Sequence, residues 1–112
     1  SNVEDVTSTF VGNYNALHTT VKLTGLTVVE TYTTTKETSD DKGAISLTCE
    51  KDGVKITIRT IVLYEDGKLV TADRFEGQTI DIKGIVDAYT PEGSTEAQIQ
   101  IRVFSLDAIT IH

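Results

Sequence analysis

Residues 20–32, TVKLTGLTVVETY, decide the fold. Val21 and Leu23 alternate with Lys22 and Thr24, the period-2 signature of a strand with one buried face. At Gly25 the alternation breaks, and Leu26 and Val28 resume it in a new phase. A glycine at a phase change reads as a bulge or a sharp coil within one strand. A long strand that turns a corner in its middle belongs to a strongly curved sheet.

The same pattern recurs along the chain. Residues 33–43, TTTKETSDDKG, carry no apolar side chain and read as an exposed loop. Ala44 to Glu50 is a second strand with Ile45, Leu47 and Cys49 in the apolar phase. Lys51-Asp52-Gly53 is a tight turn. Val54 to Tyr64 is a third strand with Val54, Ile56 and Ile58 on one face. Its phase flips at Arg59-Thr60, after which Ile61 and Leu63 alternate, as a bend in the strand would give. Glu65-Asp66-Gly67 would turn the chain so that Leu69 to Ala72 folds back, and Arg74 to Gly77 reads as a connection. Gln78 to Tyr89 is the fourth long strand, with Ile80, Ile82, Val86 and Ala88 inward. After the loop 90–96, Ala97 to Ala108 is the fifth, with Ile99, Ile101 and Val103 inward and a phase shift at Phe104.

Five long strands, three of them bent, predict an all-β fold: a small five-stranded antiparallel barrel with little or no helix. A two-sheet sandwich would call for about seven shorter strands. No repeat or linker divides residues 1–112, which read as one domain. Val3, Val6, Phe10 and Leu17 are expected to pack on the core from the N-terminal stretch. Ser1-Asn2, with no initiator Met, reads as a scar of tag removal.

Phe75 to Tyr89, FEGQTIDIKGIVDAY, and Ala97 to Ile111, AQIQIRVFSLDAITI, resemble the last two strands of bacterial OB-fold modules. Residues 21–32, with their mid-strand glycine, resemble the first. Such modules stand beside nuclease and other catalytic domains in exported or cell-surface proteins. The resemblance therefore implies an accessory or spacer module with an extracellular or cell-surface location and neighbouring domains of a parent protein as partners. One departure is that the helix usual between strands three and four has no helical-period counterpart here. Residues 64–77 read as a hairpin and loop instead.

The chemistry-bearing residues point the same way. There is no phosphate-binding glycine loop, no GxSxG, no HExxH and no zinc-spaced Cys/His cluster, so neither an enzyme nor a bound metal or cofactor is expected. Cys49 is expected to be a buried small hydrophobe, since a nucleophilic thiol wants a histidine and the only two are His18 and His112. Asp52 and Asp66 sit in glycine turns, and Asp81 and Asp87 read as solvated charge around Lys83. No apolar run nears the roughly 20 residues needed to cross a bilayer, so membrane insertion is not expected. The net charge of −7 weighs against phosphate-rich partners.

What remains is binding. OB barrels place ligands across strands two and three, between the loops after strands one and four. The outward phase there offers Lys55, Thr57 and Arg59, with Ser46 and Thr48 beside them and Gln98, Gln100 and Arg102 on strand five. Tyr32 and Tyr89 end strands one and four. Lys55, Arg59, Arg102, Tyr32 and Tyr89 are the expected ligand residues. Single-stranded nucleic acid or a glycan would suit them, since both stack on rings. No Phe is expected on that face, which leaves the stacking platform thin.

Overall fold

The computed structural model describes residues 3–8 and 17–112, so Ser1-Asn2 and Phe10 lie outside the described residues. Among the described residues the strands are β1 (Thr20–Thr33), β2 (Ala44–Lys51), β3 (Val54–Val62), β4 (Tyr64–Glu65), β5 (Lys68–Leu69), β6 (Thr79–Tyr89), β7 (Gln98–Val103) and β8 (Ile109–Ile111). Five of these close into a barrel in the order β1-β2-β3-β7-β6, because β1 also pairs with β6. β8 lies outside the ring along β6, and β4 and β5 form a separate small hairpin. The chain is an all-β barrel, as the alternation predicts.

The expectation of a purely antiparallel barrel is corrected. β3 and β7 run parallel, with Thr57 to Thr60 beside Gln100 to Val103. The other four joints of the ring are antiparallel. Parity requires this. A path once around a closed ring must return to its starting direction, so the number of antiparallel joints is even. Five strands leave at least one parallel joint.

β1 serves two neighbours by turning a corner. Its first half pairs with β6 and its second half with β2. Thr24 and Gly25 together oppose the single residue Asp81, so the expected bulge is present, with Gly25 at φ 69°. That left-handed backbone is open to glycine without a Cβ penalty. The Asp81 carboxylate accepts the Gly25 N–H at 2.9 Å and so satisfies a donor that the bulge takes out of the ladder. A second bulge at Val29 leaves that side chain exposed.

In β3 the predicted phase flip falls later than Arg59-Thr60. Thr60 is buried and Ile61 is exposed, the reverse of a hydrophobicity-only reading. β3 carries one extra residue opposite β2 between Ala44 and Ser46. The Thr60 hydroxyl accepts the Ile45 N–H at 3.1 Å and donates to the Ile61 carbonyl at 2.7 Å. A polar side chain is therefore needed inside, where the bulge interrupts the backbone pairing.

The core is Val21, Leu23, Leu26, Val28, Ile45, Leu47, Ile58, Ile80, Ile82, Val86 and Ile101 on the inner strand faces, with Phe75 beside them. Of the N-terminal candidates, Val6 is buried and Leu17 is exposed. Residues 4–6 run along β1, where Val6 N–H donates to the Lys22 carbonyl and Lys22 N–H to that of Glu4. The stretch 64–77 is a hairpin and connection, as expected, but the fold-back strand stops at Leu69 and a 3-10 turn follows at Ala72–Phe75. That turn buries Phe75 to 1% exposure, a core role that reading the stretch as a connection misses. The fifth long strand, expected to reach Ala108, stops at Val103; a 3-10 turn at Leu106–Ala108 follows, and β8 comes after it.

Candidate functional site

Strand register assembles the outer face of β2, β3 and β7 in rows. Tyr32 on β1 stands opposite Ser46, Ser46 opposite Arg59, and Arg59 opposite Arg102. The next row runs from Glu30 through Thr48, Thr57 and Gln100 to Asp87. Between and around these rows lies a depression of 320 Å³, lined by Asp41, Ser46, Thr57, Arg59, Tyr89, Gln100 and Arg102.

The structure thus brings three of the five expected ligand residues, Arg59, Arg102 and Tyr89, into one concavity. Tyr32 is 56% exposed and stands at the rim, beside Ser46 but outside the lining. Lys55 does not join them. It is opposite Glu50, four residues along β3 from Arg59, and points to solvent.

The two arginines are held differently. Arg59 donates to the Ser46 hydroxyl at 2.8 Å and has the Asp41 carboxylate 3.8 Å away. Arg102 lies over the Phe104 ring, 5.6 Å from its centroid, and its nearest carboxylate is Asp87 at 3.9 Å. Both separations exceed hydrogen-bond length, so these are loose charge pairs. Among the described residues the Arg102 side chain makes no hydrogen bond, and its Nε is buried without a partner. Gln100 forms the floor. It is 7% exposed, and its amide too is without a hydrogen bond among the described residues. The Tyr89 hydroxyl donates to the Gln98 side-chain oxygen at 3.4 Å.

Several of these roles escaped the sequence reading. Asp41 lies in a polar loop whose sequence carries nothing to aim it at β3, yet it stands beside Arg59. Asp87 is not simply solvated but stands against Arg102. Phe104, 48% exposed, corrects the expectation of no phenylalanine at this face. Its signal was in the pattern, because the residue after inward Val103 must point outward.

Elsewhere the chemistry is quiet. Cys49 is fully buried, and burial pushes its thiol up to about 12, so no thiolate is available near neutrality. Among the described residues no three His, Cys, Asp or Glu side chains gather to hold a metal ion, and no helix is long and apolar enough to cross a membrane. A second depression, 410 Å³, lies where β6 meets β8 and is lined by Lys22, Lys83, Asp81 and Asp107 among others. Its central acid, Asp81, is already engaged by Gly25 N–H and by His112 Nε2 at 2.8 Å.

No protein-family model matches the chain, and a search of curated proteins gave no match either.

Proposed function

We propose that this chain is a non-catalytic accessory module of a larger exported or surface protein, and that it works by holding a neighbouring domain or partner against the outer face of β2, β3 and β7. The observation that carries the reading is the convergence of Arg59, Arg102, Tyr89 and Gln100 in one depression. That depression lies where OB barrels take their ligands. The titratable groups support binding over catalysis, since the one thiol is inert and the acids nearest the arginines serve to offset charge.

The test is the Arg59→Ala, Arg102→Ala double variant in the full-length parent protein. The domain should stay folded, with its circular dichroism unchanged, while the parent protein loses retention of its partner or domain arrangement. A parent protein indistinguishable from wild type would sink the reading.

Tyr89 beside two arginines favours a second reading, weak binding of single-stranded nucleic acid. Asp41 and Asp87 weigh against it, because phosphates would meet a face already close to neutral. A labelled oligonucleotide of about ten nucleotides, suited to one OB site, would bind at low salt under this reading and not under the first.

A further inference from the structure

We propose that the depression between Arg59 and Arg102 is a carboxylate-recognition site, built for an Asp or Glu side chain of a protein segment. The inference rests on the reading that this face is the contact face, and it names the chemistry of what docks there.

Three observations converge. The floor residue Gln100 is only 7% exposed, and its side-chain amide, which solvent still reaches, makes no hydrogen bond among the described residues. Its N–H₂ lines the depression and is open to an entering acceptor. The Arg102 guanidinium has no hydrogen bond either, and Arg59 uses one donor on Ser46. Arginine presents five donors in a planar fork that matches a carboxylate bidentately. Finally, Arg59 and Arg102 are register partners on adjacent strands, about 4.8 Å apart by ordinary strand spacing. Both side chains line the same depression, so one acceptor group entering it meets both arginines.

Charge selects among anions. Asp41 and Asp87 stand 3.8 and 3.9 Å from the guanidinium groups, near enough to offset both positive charges but too far to occupy their donors. The site is electrically near balance, and most of its arginine donors are not used by the protein itself. A singly charged carboxylate adds one negative charge to that balance. A phosphate adds up to two and meets the same two acids, on a chain whose net charge is already −7. The site therefore prefers a carboxylate to a phosphate. Its two half-buried arginines and recessed floor residue also favour a group delivered on a protein segment, whose neighbouring residues can cover the exposed Tyr32 and Phe104 nearby.

The experiment is a nuclear magnetic resonance titration of the chain, following the side-chain N–H signals of Arg59, Arg102 and Gln100. The probes are a blocked Gly-Asp-Gly tripeptide, its Gly-Asn-Gly counterpart, and inorganic phosphate at matched ionic strength. The expected result is a saturable shift of all three signals with the Asp peptide, in the millimolar range typical of a single group. The Asn peptide should give none and phosphate a several-fold weaker response. Arg59→Gln and Arg102→Gln should each weaken the Asp-peptide response several-fold, two variants guarding against one that misfolds. Equal or stronger binding of phosphate, or no response to the Asp peptide, overturns the inference. If the Asp peptide fails while the double alanine variant still impairs the parent protein, the contact face stands and only its carboxylate chemistry falls.

Discussion

At the scale of single residues, two inward positions carry sharp consequences. A Cβ on Gly84 would stand 2.5 Å from the Arg102 carbonyl oxygen and 2.6 Å from Ile101 Cγ2. The first obstacle is backbone and cannot rotate away. Gly84→Ala should therefore cost about 1–3 kcal/mol, the usual cost of overpacking, seen as a lower denaturant midpoint with unchanged slope. An unchanged midpoint would mean that β6 and β7 can separate freely. Cys49 is the second position. Its folded-state pKa is raised by burial from 9.0 to about 12, so the native protein holds the thiol proton more tightly than the unfolded chain does. That contribution is fully present below about pH 9 and is lost as pH rises toward 12, amounting to about 4 kcal/mol over the whole range. Urea titrations of wild type and Cys49→Ala should diverge in slope against pH across that window. Parallel slopes would show that the thiol is not the group responsible.

At the scale of elements, the bulge in β1 is the feature most open to test. Asp81 closes it by accepting the Gly25 N–H and pairs with His112 across to the end of β8. Partial burial alone would raise the Asp81 pKa. The hydrogen bonds from Gly25 and His112, with the charges of His112 and Lys22, outweigh it and hold the carboxyl below its ordinary value. Its stabilising contribution is present above the ordinary carboxylate range and lost as pH falls through the lowered value. Asp81→Ala should cost about 1–2 kcal/mol near neutrality, given a charged hydrogen bond in a partly exposed setting. The difference in melting temperature from wild type should shrink in acid. A cost equally large in acid would assign the effect to packing rather than charge. The position of this bulge was legible because Gly25 coincides with a change of apolar phase. The β3 bulge was not, because the residue that services it is a threonine facing inward. Hydropathy scores Thr60 as surface and Ile61 as core, whereas the orphaned Ile45 N–H requires the opposite.

At the scale of the whole molecule, alternation and bends were enough to read a five-stranded barrel. They did not fix the directions of the strands, although parity alone forces a parallel joint once the ring closes. The candidate face was half legible. Period 2 put Arg59, Arg102 and Gln100 on the outside, but it could not say which rows meet, so Lys55 was grouped with residues four positions away on its own strand. Nor could it bring Asp41 from the loop or reveal that Gln100 is the recessed floor of the depression. The parallel joint has a consequence of its own. An odd ring of strands that favour opposed neighbours resembles an odd ring of spins that prefer to point against each other: one link is always frustrated. Here the frustrated link is β3–β7, and Arg59 and Arg102 are partners across it. Side chains in strands lean along the strand direction. Across an antiparallel link two such arms lean in opposite senses along the strands, whereas across a parallel link they lean in the same sense. The defect that topology imposes on this barrel is thus, among the described joints of its ring, the one across which two arginines stand as parallel partners.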